Sequence, residues 1–150
     1  GNLAVLYRRT GHEKEAENLL RYAVGLGGSS DVALHELHRL LRDQGRAGEA
    51  AGVQRQLEAR QSADPYYWMS RALQSIADRE PHRAISALNR AKDLAPTFSE
   101  IHRYLATAYL QAGNPQKARE EIAQMEHLGG PLNKVALLRR KLDLVDRPAQ

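Results

Sequence analysis

The chain has 150 residues, 42% of them hydrophobic, with one Phe, one Trp and no cysteine, so one domain's worth of core must come from Leu, Ala, Val and Ile and no disulfide framework or thiolate zinc site can form. The formal charge of +4, mostly arginine, favours acidic partners only weakly. No apolar run approaches the roughly 20 residues that span a bilayer, and no charged-then-apolar signal pattern stands at the start.

In chain order, the apolar spacing predicts helices over about 2–10 and 12–26, joined by a polar run that ends at Gly11 and is followed by Ala16. Gly27 and Gly28 suit a left-handed helix stop, and Ser29-Ser30 would cap the next helix. Helices 31–43 and 46–60 pair across Gly45, with Ala50 early in the second. Asp64-Pro65 places a capping side chain before a first-turn proline and opens helix 65–78, which pairs with 81–94. Thr97-x-x-Glu100 reads as a capping box for helix 99–112, where Ile101, Leu105, Ala108 and Tyr109 share a face. Asn114-Pro115 opens helix 115–128, with Ala118, Ile122 and Met125 on its apolar side, and Gly129-Gly130 stops it. A last helix over 132–145 lines up Leu132, Val135, Leu138, Leu142 and Val145 to cap what precedes it, with Leu137 and Leu144 on the opposite face. Strand alternation is sustained nowhere.

These elements repeat. Gly11 and Gly45 are 34 residues apart, and Gly113 lies two such steps further; Arg79 holds the slot between. Ala16, Ala50, Ala84 and Ala118 keep the 34-residue period throughout. A fixed period of this length marks a repeat array in which each unit buries little alone and stacks on its neighbours. The glycine allows a tight turn between antiparallel helices. The alanine lets two helix backbones approach, toward the near end of the usual spacing of about 8–10 Å.

With Trp68 in the early Trp slot, the pairs Leu3-Ala4, Leu37-His38 and Leu105-Ala106, then Tyr7, Leu41 and Tyr109, the recurring Gly and Ala, and Pro96 closing the third unit, the chain resembles the tetratricopeptide repeat family over about residues 2–130. It departs from the pattern at His38, at Arg71 for Leu, at Ser75 for Tyr and at Arg79 for the turn Gly. The resemblance implies an all-α, right-handed α-solenoid of four helix–turn–helix units plus a C-terminal capping helix. A single array is expected over 1–145, with repeats at about 1–30, 31–64, 65–98 and 99–132, a capping helix at about 132–145 and a tail at 146–150. The first repeat starts inside its first helix, so a fragment of a longer chain is expected, and the Arg- and Ala-rich, Lys-poor composition associates it with a bacterial source. The compartment, cytoplasm or periplasm, stays open.

No catalytic constellation emerges. His35 and His38 stand at i and i+3, unlike a zincin helix, and no third ligand joins them. His102 falls in a slot that packs. The Gly-Leu-Gly-Gly-Ser-Ser stretch follows a helix rather than a strand and lacks a phosphate-loop lysine, and Ser29-Ser30 has neither base nor oxyanion donors. No enzyme activity, metal or cofactor is expected.

Function then rests on surface. In the family the first helix of each pair lines a concave groove that takes a peptide or partner helix. Carried over, the groove residues are Arg8 and Arg9, then His35, Arg39 and Arg42, then Tyr66, Met69, Leu73 and Ile76, then Arg103, Tyr104 and Thr107, with Leu137 and Lys141 extending the wall. This predicts a protein-interaction module for an acidic segment with an apolar anchor. A basic nucleic-acid-binding solenoid is the alternative, but the basic run breaks at Met69, Leu73 and Ile76. A scaffold for an attached catalytic or secretion domain is a further one. Leucines 3 and 6 at the open end suggest self-association.

Overall fold

The structure, a computed structural model, describes Leu6 and residues 11–25 and 31–146. The helix expected over 2–10, the groove residues Arg8 and Arg9, and the turn at Gly27–Ser30 lie outside the described residues, Leu6 excepted. Among the described residues there are eight α-helices and no strand: α1 Glu13–Gly25, α2 Asp31–Asp43, α3 Ala47–Ser62, α4 Pro65–Ala77, α5 Pro81–Leu94, α6 Ser99–Gln111, α7 Pro115–His127 and α8 Leu132–Val145. Each begins and ends within two residues of its expected span. None is long and apolar enough to cross a membrane. The chain divides into two compact units, residues 1–62 and 63–150.

The turns explain the 34-residue period. Gly45 has φ +73 and Gly113 φ +76, in the left-handed region where a side chain is strained. At each, two hydrogen bonds close the helix end: Arg46 N–H to the Leu41 carbonyl and Gly45 N–H to Arg42, and likewise Asn114 to Tyr109 and Gly113 to Leu110. This is the Schellman arrangement, which satisfies carbonyls that the helix end would orphan. The third turn keeps both bonds, Glu80 to Ser75 and Arg79 to Ile76, although the left-handed residue is Arg79 at φ +59.

In unit 1, α2 is buried at Ala33, Leu34, Leu37, Leu40 and Leu41, a wide stripe that meets Leu20 of α1 and Ala50, Val53 and Leu57 of α3. The Arg46 guanidinium grips Glu17 of α1 through two bonds, 2.7 and 3.0 Å, and also pairs with Glu49. The Arg46 bonds, helped by Arg21, hold the Glu17 carboxyl below its ordinary range against the opposing effect of burial.

In unit 2, α4 pairs with α5 and α6 with α7; α6 also touches α4, α5 and α8. One core gathers Met69 and Ala72 of α4, Ala84, Leu88 and Ala91 of α5, and Ile101, Leu105 and Ala108 of α6. A second joins Ala106 of α6 to Ile122 and Met125 of α7 and Val135, Leu138 and Leu142 of α8. The recurring alanines 16, 50, 84 and 118 are all buried, as close helix approach requires. Buried His102 on α6 meets Glu121 of α7 at 2.6 Å.

Asp64 and Asn114 cap as expected, accepting from the Tyr66 and Lys117 N–H groups. The capping box at Thr97 does not form. Helix α6 starts at Ser99 behind Phe98, which has no side-chain cap and packs edge-on to Tyr66 at 5.8 Å. Glu100 bonds to Arg103 instead. The packed ring of Phe98 stands in the cap position in place of a capping side chain.

Candidate functional site

The first helices of the pairs in unit 2 lie side by side with the last helix, α4 beside α6 and α6 beside α8. Their outward faces enclose a hollow of about 170 Å³. Leu73 and Ile76 enter it from α4, one turn apart. Arg103, Tyr104 and Thr107 enter from α6, and Lys134, Leu137 and Lys141 from α8, with Leu138 at the floor. The spacings of three and four residues set each group on one helix face. Leu73 is 41% exposed and Leu137 51%, large apolar side chains left open beside half-buried Ile76 and Tyr104. A second hollow, apolar and about 300 Å³, continues from shared Thr107 and Lys141 to Leu110, Leu144 and Val145.

Positive charge rims this strip. The Arg103 guanidinium lies 4.6 Å above the Tyr104 ring, donates to the Tyr104 hydroxyl at 2.8 Å and pairs with Glu100. Lys134 reaches the same carboxylate at 3.9 Å. Lys141 makes no ion pair among the described residues. The hollow thus offers apolar contact at its centre and uncompensated ammonium charge at its edge.

Residues 75–141 match the tetratricopeptide repeat family. Over that stretch the chain is similar to tetratricopeptide repeats. No curated protein matches it. Among solved structures, one described as the crystal structure of MamA protein is similar at 15% identity and a TM-score of 0.46, covering 97% of this chain and 88% of that one. Tetratricopeptide repeats are an interaction and scaffold fold, and protein binding is what the family match supports in general.

The structure brings Leu73, Ile76, Arg103, Tyr104 and Thr107 together, with Leu137 and Lys141 completing the wall. It does not bring Met69 there. Met69 is 7% exposed and belongs to the core between α4, α5 and α6, because its position on α4 turns toward Ala84 and Leu88 rather than outward. Tyr66 is exposed one helical flank away, against Phe98. His35, Arg39 and Arg42 share an exposed face of α2 in unit 1, at i, i+4 and i+7, where Arg39 stands 3.6 Å from Glu36. Lys134 was not legible as a groove residue from the repeat pattern, because α8 follows no family slot; its spacing from Leu137 and Lys141 is the signal that finds it. Among the described residues no group of three or more His, Asp or Glu side chains is arranged to hold a metal ion.

Proposed function

We propose that unit 2 is a non-catalytic peptide-binding module, and that the strip between α4, α6 and α8 takes a segment with an apolar anchor flanked by acidic residues. The observation that carries this is the open pair Leu73 and Leu137 facing a shared hollow, with Lys134 and Lys141 at its edge. Apolar anchors supply most of the affinity in such sites. Exposed ion pairs add about 0–1 kcal/mol each and act mainly on encounter rate and salt dependence. The reading rests on unit 2 alone.

The test begins with selection of random twelve-residue peptides against the full chain. Selected peptides are expected to combine Leu, Ile or Phe with Asp or Glu. Leu73→Ala is expected to weaken their binding about tenfold at both low and high salt, the loss of a buried aliphatic contact. Lys141→Glu is expected to weaken it at low salt and much less at high salt. Peptides that bind both variants as they bind the wild type would remove the strip as the site.

A further inference from the structure

Unit 2 carries another hollow, of about 260 Å³, formed by Trp68, Arg71 and Ser75 of α4 and Arg83, Ser86 and Ala87 of α5. It shares no residue with the strip described above. Residues 68, 71 and 75 recur at helical spacing on the flank of α4 turned away from Leu73, so the two sites use different faces of one helix. Two of its wall residues, Arg71 and Ser75, are departures from the family pattern, standing where Leu and Tyr would fill space.

The charge here is unusual. The Arg90 guanidinium lies 4.8 Å from the centroid of the Trp68 ring, and that of Arg71 lies 5.6 Å from the same ring. Arg71 otherwise donates only to the neutral Tyr67 hydroxyl, at 3.2 Å. Among the described residues, neither Arg71 nor Arg90 has a carboxylate within ion-pairing distance; Arg83 has one, Glu80 at 3.2 Å. A guanidinium on an aromatic face keeps its N–H edge free, and that edge matches the oxygens of a carboxylate or phosphate two at a time. Arg71 in the wall beside Ser75 and Ser86, and Arg90 against the Trp68 ring that forms the same wall, are two uncompensated guanidiniums, more than one carboxylate can use. A phosphate monoester brings a charge near −2 and three strong acceptor oxygens, and answers this set better.

We propose that the Trp68 hollow binds a phosphorylated serine or threonine side chain of a protein partner. The phosphate oxygens meet Arg71 and Arg90, and the hydroxyls of Ser75 and Ser86 donate to what remains.

The chain holds a single tryptophan, so fluorescence excited selectively in tryptophan reports on this hollow. A capped Gly-phosphoserine-Gly tripeptide is titrated into the full chain at constant ionic strength, beside its serine and aspartate counterparts. A saturable fluorescence change is expected with the phosphorylated tripeptide, at an affinity about tenfold or more above that of the aspartate form, and none with serine. The double variant Arg71→Gln/Arg90→Gln is expected to weaken binding by about tenfold or more, with helical circular dichroism unchanged. Lys117→Gln on α7, which removes a positive charge elsewhere in the unit, is expected to bind as the wild type does. Should the double variant fail to fold, Arg90→Gln alone carries the comparison. No saturable response to the phosphorylated tripeptide, equal binding of the aspartate form, or a folded arginine variant that binds like the wild type would each overturn the proposal.

Discussion

Arg79 shows how strongly a repeat imposes its turn on one residue. Its φ of +59 and its two flanking hydrogen bonds reproduce the conformation that Gly45 and Gly113 adopt without steric cost. For a residue with a Cβ, the left-handed region costs about 1 kcal/mol or more. Arg79→Gly is therefore expected to raise the stability of unit 2 by about 1 kcal/mol, less what glycine loses through a freer unfolded chain. Urea unfolding checks it; a drop in stability would mean that the arginine side chain contributes more than its backbone strain costs. Glu17 gives the second case. Its carboxyl titrates lower in the folded unit than its ordinary 4.5, chiefly through the bonds from Arg46. The stabilisation is thus complete at neutral pH and is lost as the pH falls below about 4.5, through the lowered folded value. The gap in thermal midpoint between the wild type and Glu17→Gln should be widest near pH 7 and shrink toward about pH 3. A gap that is constant with pH would show that the Glu17–Arg46 pair contributes nothing ionic.

At the scale of elements, α6 and α4 behave differently although both open a helix pair. Helix α6 buries Ile101, His102, Leu105, Ala106 and Ala108, contributing to both cores of unit 2. Leu105→Ala should cost about 2–5 kcal/mol, since its cavity would open between packed helices that cannot collapse together. Helix α4 buries only Met69 and Ala72. Trp68 is only half-buried, packed against the core on one side with arginines over its ring, so Trp68→Ala should cost less than the Leu105 substitution. Chemical denaturation of the two variants decides the order; the reverse order would mark Trp68 as the principal anchor, as its repeat slot alone suggests. The end of α7 adds a steric case. A Cβ at Gly130 would stand 2.7 Å from Met125 Cγ and 2.9 Å from its carbonyl oxygen, so Gly130→Ala must displace a core methionine. A loss of at least about 1 kcal/mol is expected in the same assay.

At the scale of the molecule, unit 2 contains two joined cores and five helices, and its helix contacts run between neighbours in the chain or between alternate helices. Such local contacts let a repeat segment fold by itself. A fragment over 63–146 is expected to show helical circular dichroism and a cooperative melt; a non-cooperative melt would mean that these helices depend on residues 1–62. What the sequence determined by itself was periodic: the helices, their turns and the buried alanines follow from a 34-residue spacing that every repeat must satisfy in the same way, whatever its neighbours. The Asp64 and Asn114 caps were legible for the same reason, since a cap is settled within four residues. The tertiary structure alone decided what depends on packing across helices. It turned Met69 inward, put the packed ring of Phe98 rather than a capping box ahead of α6, and set Lys134 in the hollow with Leu73. It also left Arg71 and Ser75 around an open hollow beside Trp68, because polar side chains in slots meant for Leu and Tyr cannot fill the space those residues would close.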